Sequence, residues 1–254
     1  MRVLVTRPAA QAEEWVAALT RRGLDAVALP LISIAAAQDP SAVHGAWTSL
    51  SSHQLIFFVS PNAVEWFFAA RPNHQAWPPA LQAASPGPGT SAALLRSGVA
   101  PHLMVEPRAD ADQFDSEALW QVLQTQRWEA ASVLVVRGDG GRDWLAEQLR
   151  SAGALVSFVS AYRRVPPQFS NTSAAVLQAA LATPESHVWL FSSSEAVMNL
   201  MQLQQVQAAP VNWSLATALT THPRIAQSAE AAGFGKVLSC RPTLDAVVQQ
   251  LVSL

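Results

Sequence analysis

The sequence predicts an α/β protein built from parallel sheets, and three observations carry that reading. Short apolar runs alternate with amphipathic stretches along all 254 residues, which is the rhythm of βαβ units. The second half echoes the first in order. Each half also contains one extended, proline-flanked stretch at the same place in its rhythm, residues 31–37 and the Tyr162 region within 157–167 (SFVSAYRRVPP).

Residues 2–6 (RVLVT) read as a buried strand, followed by a helix to Arg22 with Pro8 in its first turn and Gly23 at its end. Residues 25–29 form a second strand, 31–37 an extended connector, 40–50 a helix and 54–59 a strand. Ser60 caps the next helix, 63–70, with Pro61 at its first position. A short strand over 81–85 leads through Gly87-Pro88-Gly89-Thr90 into a helix over 91–97, and 101–105 reads as a strand. Asp115 or Ser116 caps the helix 117–126. The second half begins with the strand 132–136, a glycine turn at 138–141, the helix 142–151 and the strand 155–160. The helix 172–181, the strand 187–191 and the helix 195–201 follow, then a strand near 213–219, the helix 225–232, the strand 236–239 and the helix 244–252.

Val3-Leu4-Val5-Thr6-Arg7 matches Val133-Leu134-Val135-Val136-Arg137, and Phe58-Val59-Ser60 matches Phe191-Ser192-Ser193; Pro88 matches Pro223 and Gly98 matches Gly233. Two equivalent connectors suggest an exchange, in which each repeat starts in one lobe and finishes in the other. The connectors near 31–37 and 160–166 would then form a two-stranded linker. This gives residues 1–33 plus 167–254 as one lobe and 38–159 as the other. A plain head-to-tail order of the repeats fits the same periodicity.

Composition removes several functional classes. Half the residues are hydrophobic and 13% are charged, so the chain can build real cores. The net charge is −2 and no basic stripe occurs, which argues against nucleic acid. No apolar run reaches 18 residues and the apolar run within MRVLVTRPAA is too short for the hydrophobic region of a signal peptide, so no membrane partner and a cytoplasmic location are expected. Cys240 is the single cysteine. The six histidines (His44, His53, His74, His102, His187, His222) never fall at i, i+4, and the acidic residues form no metal set. Trp15, Trp66, Trp120 and Trp144 read as packing residues.

In open parallel sheets ligands sit beyond the carboxyl ends of strands. There this sequence places Thr6-Arg7-Pro8, Ser60-Pro61-Asn62, Gly87-Pro88-Gly89-Thr90, Arg137-Gly138 with Gly141-Arg142, Ser192-Ser193-Ser194, and Thr221 with Pro223-Arg224. Helix N-termini offer free N–H groups to anions, so the ligand implied is anionic. Any one of these turns reads equally well as a plain helix cap; six together do not. No Walker loop, no G-x-G-x-x-G and no Gly-x-Ser-x-Gly elbow is present.

The ordered set VLVTRPAAQAE (3–13), GLDAVALPLI (23–32), FVSPNAV (58–64), GPGT (87–90), FDSEAL (114–119), VRGDGGRDWLAEQL (136–149), AYRRV (161–165), FSSSEAV (191–197), THPRIAQSAEAAGF (221–234) and PTLDAVVQ (242–249) resembles the uroporphyrinogen-III synthase family. The resemblance implies two α/β lobes with an active-site cleft between them and a cofactor-free lyase. Its substrate would be the linear tetrapyrrole polycarboxylate hydroxymethylbilane, cyclised to uroporphyrinogen III with inversion of ring D and loss of water. It also implies a monomer and a transient contact with the preceding pathway enzyme. The family's candidate proton donor aligns with Tyr162, the only tyrosine; a phenol is protonated at neutral pH. Where the family has a threonine this chain has Ile225, for which Thr220 or Thr221 is the expected substitute. A non-catalytic two-lobe binding protein for an anionic small molecule is the alternative reading.

Overall fold

The structure, a computed structural model, describes residues 1–73, 75–205 and 210–254; His74 lies outside them. In chain order its elements are β1 (Arg2–Val5), α1 (Ala9–Arg21), β2 (Ala26–Ala28), β3 (Ser33–Ala36), α2 (Pro40–Thr48), β4 (Leu55–Phe58), α3 (Pro61–Ala69), β5 (Gln82–Ala84), α4 (Pro88–Arg96), β6 (Met104–Val105), α5 (Ser116–Leu123), β7 (Ser132–Gly138), α6 (Trp144–Ser151), β8 (Leu155–Val165), α7 (Asn171–Ala182), β9 (His187–Phe191), α8 (Ser194–Gln205), β10 (Thr217–Thr220), α9 (Pro223–Ala231), β11 (Lys236–Ser239) and α10 (Leu244–Val252).

The chain divides into two compact units. One is Met1–Ser33 with Val165–Leu254 and the other is Ile34–Arg164. The first holds a five-stranded sheet in the order β11-β10-β9-β1-β2, and the second a six-stranded sheet in the order β3-β8-β7-β4-β5-β6. Setting β1 against β7 and β2 against β8, and β9, β10 and β11 against β4, β5 and β6, makes the two orders identical apart from β3. The first repeat therefore opens in one sheet with β1 and β2 and closes in the other with β4, β5 and β6; the second repeat does the reverse. The pairs of β1 with β2 and β9, of β10 with β9 and β11, and of β4, β5, β6, β7 and β8 are parallel.

In the first unit, Val3, Val5, Val188, Leu190 and Leu219 meet Leu19 of α1 and Val247 and Leu251 of α10. An aromatic group of Trp189, Phe191, Trp213 and Phe234 adds offset and edge contacts with ring centres 4.9–6.4 Å apart. In the second unit, one core gathers Trp47, Phe58, Phe67, Val136 and Tyr162, and another gathers Leu55, Phe57, Leu119, Val133 and Leu149. Trp15, Trp66, Trp120 and Trp144 each pack against one of these cores.

Several element bounds differ from expectation for local reasons. Strand β8 does not stop near residue 160 but runs on to Val165, through Tyr162. Residues 101–105 are mostly not strand: Pro101 opens a short 3-10 turn, which leaves only Met104–Val105 extended. Pro8 occupies the N-cap position rather than the first turn of α1. Helix α6 starts at Trp144, because β7 keeps Arg137 and Gly138 extended and Gly140 and Gly141 adopt positive φ. Helix α4 starts earlier than expected, with Pro88 at its first position.

Candidate active site

Parallel strands bring their carboxyl ends to one edge of a sheet, so the expected site residues collect into two sets. At the edge of the five-stranded sheet lie Thr6-Arg7-Pro8 after β1, Ser192-Ser193-Ser194 after β9, and Thr221, Pro223 and Arg224 after β10. At the edge of the six-stranded sheet lie Ser60-Pro61-Asn62 after β4, Gly87-Pro88-Gly89-Thr90 after β5, and Arg137-Gly138 at the end of β7 with Gly141 and Arg142 beyond. In each sheet the chain leaves the first strand of a repeat toward opposite neighbours, β2 and β9 around β1, and β8 and β4 around β7. That is the topological switch point at which open α/β sheets bind ligands.

Tyr162 is fully buried, packed inside the core of its own unit. Two local features seat it there. A register irregularity at Arg137/Gly138 sets Tyr162 opposite Gly138, and the amide of Asp139 donates to the Tyr162 carbonyl at 3.1 Å. A Cβ on Gly138 would lie 2.8 Å from both Cε2 and Cζ of the phenol ring, so only glycine leaves room for it. The phenol is thus not an open side chain at a strand end. Its hydroxyl meets the Ser60 hydroxyl at 3.0 Å. Ser60 is partly exposed; it caps α3 by accepting from the amide of Ala63 at 3.2 Å, with Pro61 at the first helical position. Arg164 lies two residues on, on the same face of β8. It donates to the Tyr162 oxygen at 3.4 Å, with its guanidinium carbon 5.9 Å from the ring centre. Sequence reasoning missed Arg164 as part of this group, although the i, i+2 spacing on a strand is its signal.

The turn at residues 87–90 is more closed than expected. Gly87 and Thr90 are buried, Gly89 is exposed, and a Cβ on Gly87 would come within 2.8 Å of Phe114. Beneath it the Ser85 and Ser91 hydroxyls lie 2.6 Å apart and Ser91 donates to the Glu106 carboxylate. None of these three residues was singled out from sequence. Two serines flanking GPGT were the available hint, but Glu106 comes from another strand end.

The arginines differ in their partners. Arg137 stacks over Phe158 at 4.6 Å and is ion-paired with Asp143. Arg142 makes a two-pronged pair with Glu117 at 2.9 and 3.0 Å, and that hydrogen bonding raises its pKa above the ordinary value. Arg7 sits 4.4 Å over the Trp15 ring. Burial lowers its guanidinium to about 10, which leaves it charged at neutral pH.

At the other turns of the first unit, the Thr6 hydroxyl is buried and donates to the Leu190 carbonyl at 2.8 Å, so it ties β1 to β9. Ser193 accepts from the amide of Glu195 at 3.2 Å, and Ser194 donates to the Arg224 carbonyl at 3.3 Å. His222 caps α9 by accepting from the amide of Arg224 at 3.1 Å. Thr220, one of the two expected substitutes for the threonine absent at Ile225, is buried, and its hydroxyl donates to the Leu238 carbonyl at 3.0 Å. Thr221 is buried as well. Among the described residues no three His, Cys, Asp or Glu side chains come together as a metal site.

Comparison with known proteins yields one family. The profile of the family described as Uroporphyrinogen-III synthase HemD matches residues 13–249. The uroporphyrinogen-III synthase of Salmonella typhimurium (strain LT2) is 31% identical over 178 residues, 69% of this chain and 70% of that protein. The one from Proteus mirabilis is 34% identical over 167 residues, 65% of this chain and 81% of that protein. Among solved structures, a mutant uroporphyrinogen III synthase from the extremely thermophilic bacterium Thermus thermophilus aligns with a TM-score of 0.59 at 15% identity, covering 100% of this chain and 98% of that one. The Helicobacter pylori 26695 enzyme aligns with a TM-score of 0.58 at 14% identity, covering 100% and 99%. At these identities the structural likeness speaks for the fold.

Proposed function

This chain belongs to the uroporphyrinogen-III synthase family, and we propose that it closes hydroxymethylbilane to uroporphyrinogen III, with ring D inverted and water released. The observation that carries the chemistry is the Tyr162–Ser60 hydroxyl pair at 3.0 Å. The reaction needs a proton on the departing ring A hydroxyl and no strong base. A buried phenol hydrogen-bonded to a partly exposed serine suits that need. Ser60 is the member of the pair that a substrate reaches, so the proton passes from Ser60 to the leaving oxygen while the phenol replaces it. The azafulvene formed is attacked by the substituted carbon of ring D, the spiro intermediate fragments and recloses with ring D turned, and the proton released as ring D regains its aromaticity restores the phenol. Positioned acid assistance of this kind contributes roughly 10²–10⁴-fold. Much of the rest lies in holding chain ends that would otherwise close without inversion.

Thr6, Arg7, Pro8, Ser60, Pro61, Asn62, Gly87–Thr90, Arg137, Gly138, Gly141, Arg142, Ser192–Ser194, Thr221, Pro223 and Arg224 are read as the substrate-holding turns. Their support is the common placement of each set at one sheet edge. Residues near 31–37 and 160–166 are read as the linker, since the chain passes between units at Ser33/Ile34 and Arg164/Val165. The same reading takes a linear tetrapyrrole polycarboxylate as ligand, a monomer, a transient contact with the enzyme supplying the substrate, and a cytoplasmic location. Among the described residues no helix is long and apolar enough to cross a membrane.

The experiment is a product-isomer assay with fresh hydroxymethylbilane. The type III isomer is expected. Type I alone, the product of unassisted closure, would overturn the reading, and recovery of a tightly bound but unaltered ligand would favour a binding protein instead.

A further inference from the structure

Arg7 and Arg137 are the same residue of the two repeats, each at the carboxyl end of the first strand of its repeat. Each lies over an aromatic ring, Arg7 over Trp15 at 4.4 Å and Arg137 over Phe158 at 4.6 Å. Their charges meet different fates. Arg137 is ion-paired with Asp143, six residues further on. Six residues beyond Arg7 stands Glu13, on the exposed face of α1. The Arg7 Nε is buried with no hydrogen-bond partner among the described residues. The one comparable atom among them is the neutral indole nitrogen of Trp189.

A buried donor on a cation is among the most costly groups to leave unpaired, and such groups in native proteins call for an explanation. Stacking on Trp15 holds the plane of the guanidinium but satisfies none of its N–H groups. Arg7 also stands at the switch point of its sheet, between β2 and β9, where the Ser192–Ser194 turn follows β9. The missing acceptor is therefore placed where an open α/β sheet takes its ligand.

We propose that Arg7 is a carboxylate-anchoring residue, whose guanidinium grips one carboxylate of the ligand through Nε and a neighbouring Nη. This rests on the synthase reading and deepens it. The two repeat-related arginines have divided their roles: Arg137 is neutralised within the protein, and Arg7 is neutralised by the ligand. A side chain, and not only backbone amides, then selects for a polycarboxylate. The planar fork of arginine matches a carboxylate in two-pronged fashion, which a lysine cannot reproduce.

The test uses uroporphyrin III, a stable fluorescent octacarboxylate, titrated into the whole protein. Arg7→Gln is expected to weaken its binding about ten- to a hundred-fold, the range of one charge-assisted hydrogen-bonded contact. Arg7→Lys is expected to lose part of that affinity, and Arg22→Gln, which removes an equal charge paired with Asp245 on the surface, to lose none. With hydroxymethylbilane, Arg7→Gln should raise KM by a similar factor while kcat changes by only a few-fold. A folded Arg7→Gln protein that binds uroporphyrin III as the wild type does would overturn the proposal. Should that variant fail to fold, unchanged affinity in Arg7→Lys overturns it, because the lysine keeps the charge but lacks the fork. A wild-type protein that binds uroporphyrin III through Arg7 yet yields only the type I isomer would sink the synthase reading and leave the anchor standing.

Discussion

The hydroxyls of Tyr162 and Ser60 lie 3.0 Å apart although 102 residues separate them. One comes from a strand of the second repeat and the other from a helix cap of the first. The contact ties the buried phenol to the only member of the pair with solvent access, and under the proposed reaction the two act together.

Tyr162→Phe should therefore lower turnover on the order of 10²-fold or more while leaving uroporphyrin III affinity nearly unchanged. Ser60→Ala should lower turnover comparably and also cost about 1 kcal/mol of stability through the lost helix cap. The double variant should be little slower than either single one, because coupled residues are not additive. Single-turnover rates and urea melts of the three proteins check this, and multiplicative rate losses would show that the two act separately.

Gly138→Ala places a Cβ 2.8 Å from the Tyr162 ring. The ring is enclosed by core residues and cannot swing away. The expected cost is about 1–3 kcal/mol, typical of an overpacked interior, together with slower turnover from a displaced phenol. A denaturant midpoint and a kcat both at wild-type values would show that the ring has room to shift.

Gly235→Ala is expected to be harsher, because the new Cβ would collide with the Ser214 carbonyl oxygen. Backbone has to move there, and Gly235 also donates to the Trp213 carbonyl at 3.0 Å. A loss above ~3 kcal/mol, or failure to fold, is expected by comparison with other severe steric changes. A melting temperature within a degree or two of the wild type would contradict it.

Burial raises the Cys240 thiol from its ordinary 9.0 to about 11. Fewer thiolates exist at every pH below that value, by roughly 100-fold at pH 8, and the thiolate is the reactive form. Iodoacetamide should label the folded protein about a hundred times more slowly than the urea-unfolded one, with the rate climbing steeply toward pH 11. Equal rates in the two states would show an open thiol.

Much of the fold was legible because it depends on local pattern. β11 and α10 lie where their apolar spacing predicts, and Ser60-Pro61 reads as cap and first turn from two adjacent residues. The repeat let matching strands be tracked by offset, but that periodicity fits an exchange and a head-to-tail order alike, and only the strand orders decide between them. What escaped depends on contacts distant in sequence. Glu106 reaches Ser91 from another strand end, and no spacing rule foretells it. That Tyr162 lies buried follows from the missing Cβ of Gly138, 24 positions earlier and on a neighbouring strand. Arg7 and Arg137 look alike as letters; only geometry reveals that one has an acid beside it. The over-long strand at 101–105 has a simpler cause, a proline at its head that favours a turn.

The swapped order of strands also governs the sequence of assembly during synthesis. The second unit, Ile34–Arg164, is one unbroken stretch of chain, so it can fold as soon as it leaves the ribosome. The first unit cannot. Strand β1 lies between β2 and β9, and Arg2 is in register with His187. The leading βαβ segment thus waits, with one edge of its central strand unpaired, until a partner some 185 positions later emerges. Closing so long a loop costs little more than closing a short one, but the delay exposes an apolar strand edge throughout. Nascent chains halted before residue 187 should accordingly be more prone to aggregate than the same halted chains lacking residues 1–33.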